Sequence, residues 1–172
     1  LATAEPSNDD EKTGGGDAAE GVQVAEGKRF PPNEAKHDKF FDDYSAMAEK
    51  LAKELDIDPK YILSLMSLEG GWGDKGSREK NNLFGFRKNN EKMRFENPEE
   101  AAEYFKRIWG SSVEGARSID EFVDGLQDQK KKNRRYNTDD EANPDYDYKR
   151  EIRKQYDSIR RRQDNWTGRR SA

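Results

Sequence analysis

A chain of 172 residues has room for one domain and a tail, and 31% hydrophobic against 40% charged residues leaves that domain a small core. It holds no cysteine, which excludes a disulfide framework, and one histidine, which leaves a zinc or catalytic-histidine site without its donors. The net charge of −4 conceals two unlike ends: residues 1–36 carry eight acids and four bases, residues 149–172 nine bases and three acids.

Residues 1–32 combine Gly14-Gly15-Gly16 with many Asp, Glu and Ala residues, and apolar side chains are scattered. This composition predicts a disordered or extended acidic leader over residues 1–36, able to order as a docking arm on a larger assembly. The start lacks the basic stretch and apolar block of a signal peptide, and no apolar run is long enough to span a membrane. Leu1 in place of Met reads as the start of a processed or trimmed product.

From Lys36 the pattern turns helical, with Phe40, Phe41, Tyr44, Met47, Ala48, Leu51 and Leu55 on one face. His37, just ahead of that face, is expected at the surface or as a cap. Asp58-Pro59 supplies a helix cap and first-turn proline, and Gly70-Gly71 a stop, so residues 58–69 form a short buried helix ending in Glu69. A carboxyl at a helix C-terminus, near Leu65, Leu68 and Trp72, is biased towards its protonated form, as a general acid for glycosidic cleavage requires. The competing reading is a solvated acid at a helix end.

Gly73 to Lys80 reads as a polar loop, and Asn97-Pro98-Glu99-Glu100 and Ser118-Ile119-Asp120-Glu121 read as helix starts. A basic loop, residues 130–135, leads into Tyr136. A last helix over residues 145–162 turns Tyr148, Ile152, Tyr156 and Ile159 inward, and residues 163–172 are expected to be a loose polar tail.

Glu69-Gly70-Gly71-Trp72-Gly73 followed by Asn81-Asn82-Leu83-Phe84-Gly85 resembles the glucosaminidase domains of glycoside hydrolase family 73. Phe95-Glu96-Asn97-Pro98-Glu99-Glu100 and Tyr136-Asn137-Thr138-Asp139, with Tyr148 and Tyr156 beyond, extend the likeness from about residue 37 to 162. Two departures stand out. Gly70 replaces the family's Ser or Thr, and only residues 88–94 remain of its β-hairpin lobe. The resemblance implies a mainly α, lysozyme-like helical domain with little or no β lobe, and a peptidoglycan hydrolase.

On that resemblance Glu69 is the catalytic acid and Tyr136 stands beside the reacting sugar, while Glu91 and Glu96 are fallback second acids. Trp72, Asn81, Asn82, Phe84 and Asp139 are substrate-binding candidates. Each also has a structural reading: Trp72, Phe84 and Tyr136 as packing, the two asparagines as turn caps, Asp139 as a loop brace. With the lobe cut back, the substrate's own N-acetyl carbonyl is the expected nucleophile, acting in the periplasm or cell wall on glycan strands as partner. No cofactor or metal is expected. Three rivals are a lytic transglycosylase, a wall-binding or virion or secretion-assembly module without activity, and a nucleic-acid binder through the basic end, which its interspersed acids disfavour.

Overall fold

A 24-residue helix, α1 (Pro32–Leu55), lays Phe40, Phe41, Tyr44, Ala48, Leu51 and Leu55 along one buried stripe. The computed structural model describes residues 22–23, 29–30, 32–127, 136 and 146–171. Ahead of α1, β1 (Val22–Gln23) pairs antiparallel with β2 (Arg29–Phe30), Val22 opposite Phe30. The other leader residues, apart from those in α1, lie outside the described residues. Helix α1 starts at Pro32, four residues before the expected Lys36, with proline at a first-turn position where its missing N–H costs nothing.

The next helix, α2 (Pro59–Glu69), is the central one, buried from Tyr61 to Ser67. Its cap is as expected: the Asp58 carboxylate accepts from the Lys60 amide at 2.9 Å. Two hydroxyls lie inside it, and both are satisfied on their own helix, Ser64 Oγ donating to Lys60 O (2.6 Å) and Ser67 Oγ to Ser64 O (2.8 Å). A side chain such as Leu65, with no exposed surface, contributes about 2–5 kcal/mol here.

The expected polar loop contains a short helix, α3 (Lys75–Glu79), because Asp74 accepts from the Ser77 amide at 2.8 Å and starts a turn. A hairpin follows, β3 (Arg87–Lys88) with β4 (Glu91–Lys92), joined by Asn89 and Asn90. Both turn residues have positive φ (51° and 64°), which asparagine tolerates and a two-residue type I′ turn requires. These four strand residues are the whole of the β lobe. Helices α4 (Pro98–Val113) and α5 (Ile119–Leu126) begin at the expected caps, Asn97 and Ser118.

The last helix, α6 (Tyr148–Ser171), packs against α2, α5 and α1. It runs nine residues past the expected end at residue 162, through what composition presented as a loose tail. Trp166 lies against Phe41 (5.6 Å between centroids) and donates through Nε1 to Asp42 at 2.7 Å. Arg169 and Arg170 pair with Asp38 and Asp42. The acidic first turns of α1 thus hold the basic end of α6 in helix. The fold is mainly helical, with its core knit by aromatic rings such as Phe84–Phe105 (5.1 Å) and Trp109–Tyr136 (5.3 Å).

Candidate active site

The chain leaves α2 through a tight left-handed turn. The Gly70 amide bonds Met66 O at 2.9 Å and the Trp72 amide bonds Ser67 O at 3.1 Å. Gly71, Trp72 and Gly73 have φ of 55°, 58° and 76°. Glycine adopts such angles freely, whereas Trp72 gives up about 1–2 kcal/mol. Its side chain explains why it stays. The indole lies edge-on to His37 (4.2 Å) and Phe40 (5.2 Å), and Nε1 donates to Gln155 Oε1 at 3.0 Å. The same oxygen accepts from Ser67 Oγ at 3.2 Å, so one amide of α6 grips both sides of the α2 terminus.

At that terminus Glu69 is half-buried. Tyr148, with no exposed surface, donates its hydroxyl to Glu69 Oε1 at 3.0 Å. Gly85, with φ of 73°, flanks the other oxygen: a Cβ there would stand 2.8 Å from Oε2. A glycine is therefore what lets the carboxyl occupy this position. Burial, and then the nearby charge of Glu69, push the Tyr148 and Tyr136 hydroxyls well above the usual phenol range. Tyr136 donates to the Phe84 carbonyl, with its ring against Phe86, Phe105 and Trp109.

The remaining sequence candidates divide by position. Asn82 has no exposed surface, and its amide is spent on the chain: Nδ2 donates to Phe86 O and Met93 O (both 2.9 Å) and Oδ1 accepts from the Phe86 amide (3.1 Å). Phe84 is 1% exposed and stacked on Phe86 and Phe105. These two side chains pack inside the segment that leads to Gly85, leaving almost no surface with which to touch a sugar. Asn81, half-buried with φ of 49°, donates to the carbonyls of Phe95 and Glu96 at 3.0 and 3.1 Å. Glu91 is exposed on β4 opposite Lys88, and Glu96 is exposed at the head of α4, its amide bonded to Glu100. Asp139 and the basic loop lie outside the described residues. His37, expected at the surface, is half-buried against Trp72. Among the described residues its Nδ1 has no hydrogen-bond partner, and burial lowers its pKa from 6.5 to about 4.

The family model described as Glucosaminidase, mannosyl-glycoprotein endo-beta-N-acetylglucosaminidase, matches residues 45–166, which include Glu69, Gly85, Tyr136, Tyr148 and Gln155. The chain belongs to the glucosaminidase family. No curated protein matches this chain significantly. Among solved structures, a chain from a type VI secretion system effector–immunity complex of Pseudomonas protegens superposes with a TM-score of 0.63 at 22% identity. The match covers 76% of this chain and 95% of that one, and it shows a shared fold.

Two residues at the site escaped the sequence. Tyr148 reads as core because it sits at an apolar register of α6, and nothing local distinguishes a buried phenol from a buried ring. Gln155 lies seven residues on, in the same register, and a polar residue on an inward stripe is the one signal that could have exposed it.

Proposed function

We propose that this glucosaminidase-family domain hydrolyses β-1,4 bonds between N-acetylated amino sugars in peptidoglycan, as an endo-acting N-acetylglucosaminidase with Glu69 as general acid. What carries the reading is the seat of Glu69: a half-buried carboxyl at the end of a buried helix, held on Oε1 by Tyr148 and given space beside Oε2 by Gly85. Glu69 passes its proton to the leaving glycosidic oxygen as the bond to the anomeric carbon breaks. The neighbouring N-acetyl carbonyl oxygen attacks that carbon and closes a ring. Water then opens the ring, giving its proton to the Glu69 carboxylate and restoring the acid.

In this scheme Tyr148 orients the acid. Tyr136, its hydroxyl donated to Phe84 O, braces the loop that carries Gly85. Asn81, Trp72 and Asp139 are left as sugar-contacting candidates, and Glu91 and Glu96, both exposed, as alternative second acids. No described helix is long and apolar enough to cross a membrane, and we assign the site of action to the cell wall, reached from the periplasm. Similarity to a chain from an effector–immunity complex favours delivery by a secretion assembly as the route.

Purified peptidoglycan incubated with the parent and with Glu69→Gln protein tests the scheme. The parent should release fragments with reducing ends, and Glu69→Gln should be slower by about 10²–10⁴-fold with an unchanged circular dichroism melt. Equal clearance by both proteins would rule Glu69 out as the acid. Anhydro ends would make the chain a lytic transglycosylase, and inactivity of the parent would make it a wall-binding module.

A further inference from the structure

Among the described residues some cations pair with acids and others do not, and the β3–β4 hairpin with its flank gathers four of the latter within eight residues. On α6, Arg153 meets Asp120 at 2.6 Å, Lys149 meets Asp124 at 2.5 Å, and Arg169 and Arg170 meet Asp38 and Asp42. Residues 87–94 hold four bases, Arg87, Lys88, Lys92 and Arg94, and one acid, Glu91, in a chain whose net charge is −4. Among the described residues none of these four bases forms an ion pair. Arg87 and Arg94 are instead fixed by backbone carbonyls, Nη1 of Arg87 donating to Asn90 O (2.9 Å) and Nη1 of Arg94 to Glu79 O (2.6 Å). These bonds orient the guanidinium groups without neutralising them.

The register sharpens the point. Lys88 stands opposite Glu91, a complementary cross-strand pair, but Arg87 stands opposite Lys92. Like charges directly across a ladder repel and destabilise the pairing. The next rung inward, Phe86 with Met93 (amide of Met93 to Phe86 O, 3.0 Å), packs on the core, so Arg87, exposed, and Lys92, half-buried, share the other face. Asp74 feels the charge of Lys92 only as a minor influence beside burial and the Ser77 hydrogen bonds.

Position gives this face a ligand. Two residues of chain, at most about 7 Å, separate Arg87 from Gly85, the residue against which the Glu69 carboxyl packs. A glycan strand lying over Glu69 carries side groups that reach such a distance. In peptidoglycan these are the lactyl-linked stem peptides, which end in carboxylates. We propose that the Arg87–Lys92 face binds the stem-peptide carboxylates of the strand cleaved at Glu69, which makes the shortened lobe an anion-reading edge. This rests on the peptidoglycan reading above.

The test measures binding and needs no turnover. Glu69→Gln protein is co-sedimented with sacculi stripped of secondary polymers, and with the same sacculi after carbodiimide coupling has converted their carboxylates to amides. Native sacculi should bind more tightly at low salt than amidated ones. Adding Arg87→Gln and Lys92→Gln should weaken binding to native sacculi roughly three- to tenfold and leave binding to amidated sacculi unchanged. Lys92→Gln alone, which touches no backbone bond, should give part of that loss, and Lys88→Gln, on the opposite face, little of it. Equal weakening on both substrates, or none on either, overturns the proposal. Should the parent prove catalytically silent while the charge-dependent binding remains, the hydrolase reading fails and the anion-reading face stands.

Discussion

A hydroxyl donating to Glu69 Oε1 stabilises the carboxylate more than the acid, while the α2 C-terminus and the half-buried setting act in the opposite sense. Removing the donor with Tyr148→Phe tips that balance towards the protonated form. The alkaline limb of the pH–rate profile, on which the proposed acid loses its proton, should then move to higher pH, and the maximal rate should fall several-fold as Glu69 loses its tether. An alkaline limb that stays in place would mean Tyr148 serves packing alone. Glu69 itself was legible in the sequence because a cap, an apolar run and a glycine stop bracket it. Its immediate surroundings were not: the expected neighbour Trp72 has its indole turned onto α1, and the group that meets the carboxyl arrives from 79 residues away.

Helix starts were readable from local chemistry, since Asp58, Asn97 and Ser118 each accept an amide hydrogen bond from the first turn of their helix. Helix α3 and the far half of α6 were not, because neither has an apolar period of its own. The first depends on one capping carboxylate, the second on acids that α1 presents. Helix α6 also secures the turn after Glu69 through Gln155, which receives Ser67 Oγ and Trp72 Nε1 on one oxygen. Gln155→Leu leaves Trp72 Nε1 without its acceptor, while Ser67 Oγ keeps Ser64 O, and frees a left-handed tryptophan to relax. We expect a loss of about 1–2 kcal/mol in unfolding free energy and a several-fold drop in kcat with little change in KM. Gln155→Glu, which keeps an acceptor oxygen, should recover most of the rate. Urea melts and steady-state kinetics on the two variants measure it; identical losses in both would show that the hydrogen bond is immaterial.

Stability of the molecule as a whole should sag in two separate stages as pH falls. His37 is kept neutral by burial, and its pKa drops from 6.5 unfolded to about 4 folded. The unfolded chain therefore binds a proton first, and the stability His37 contributes is complete above about pH 6.5 and drains away towards pH 4. Asp120 acts in the same direction over a lower range: a hydrogen bond from Arg153 holds its carboxyl below the ordinary value of 3.8, so its contribution fades only at lower pH. Melting temperatures taken from pH 7 to pH 3 should show the upper stage flattened by His37→Gln and the lower one retained. The same histidine fixes where the molecule is entered. It sits in the second turn of α1, edge-on to the Trp72 ring, so five helical residues, about 8 Å of rise, separate Pro32 from the turn that follows Glu69. Whatever is joined directly ahead of Pro32, be it a tag, a carrier or a sister domain, comes aboard beside the turn that follows Glu69, and bulk attached there becomes a neighbour of the proposed site.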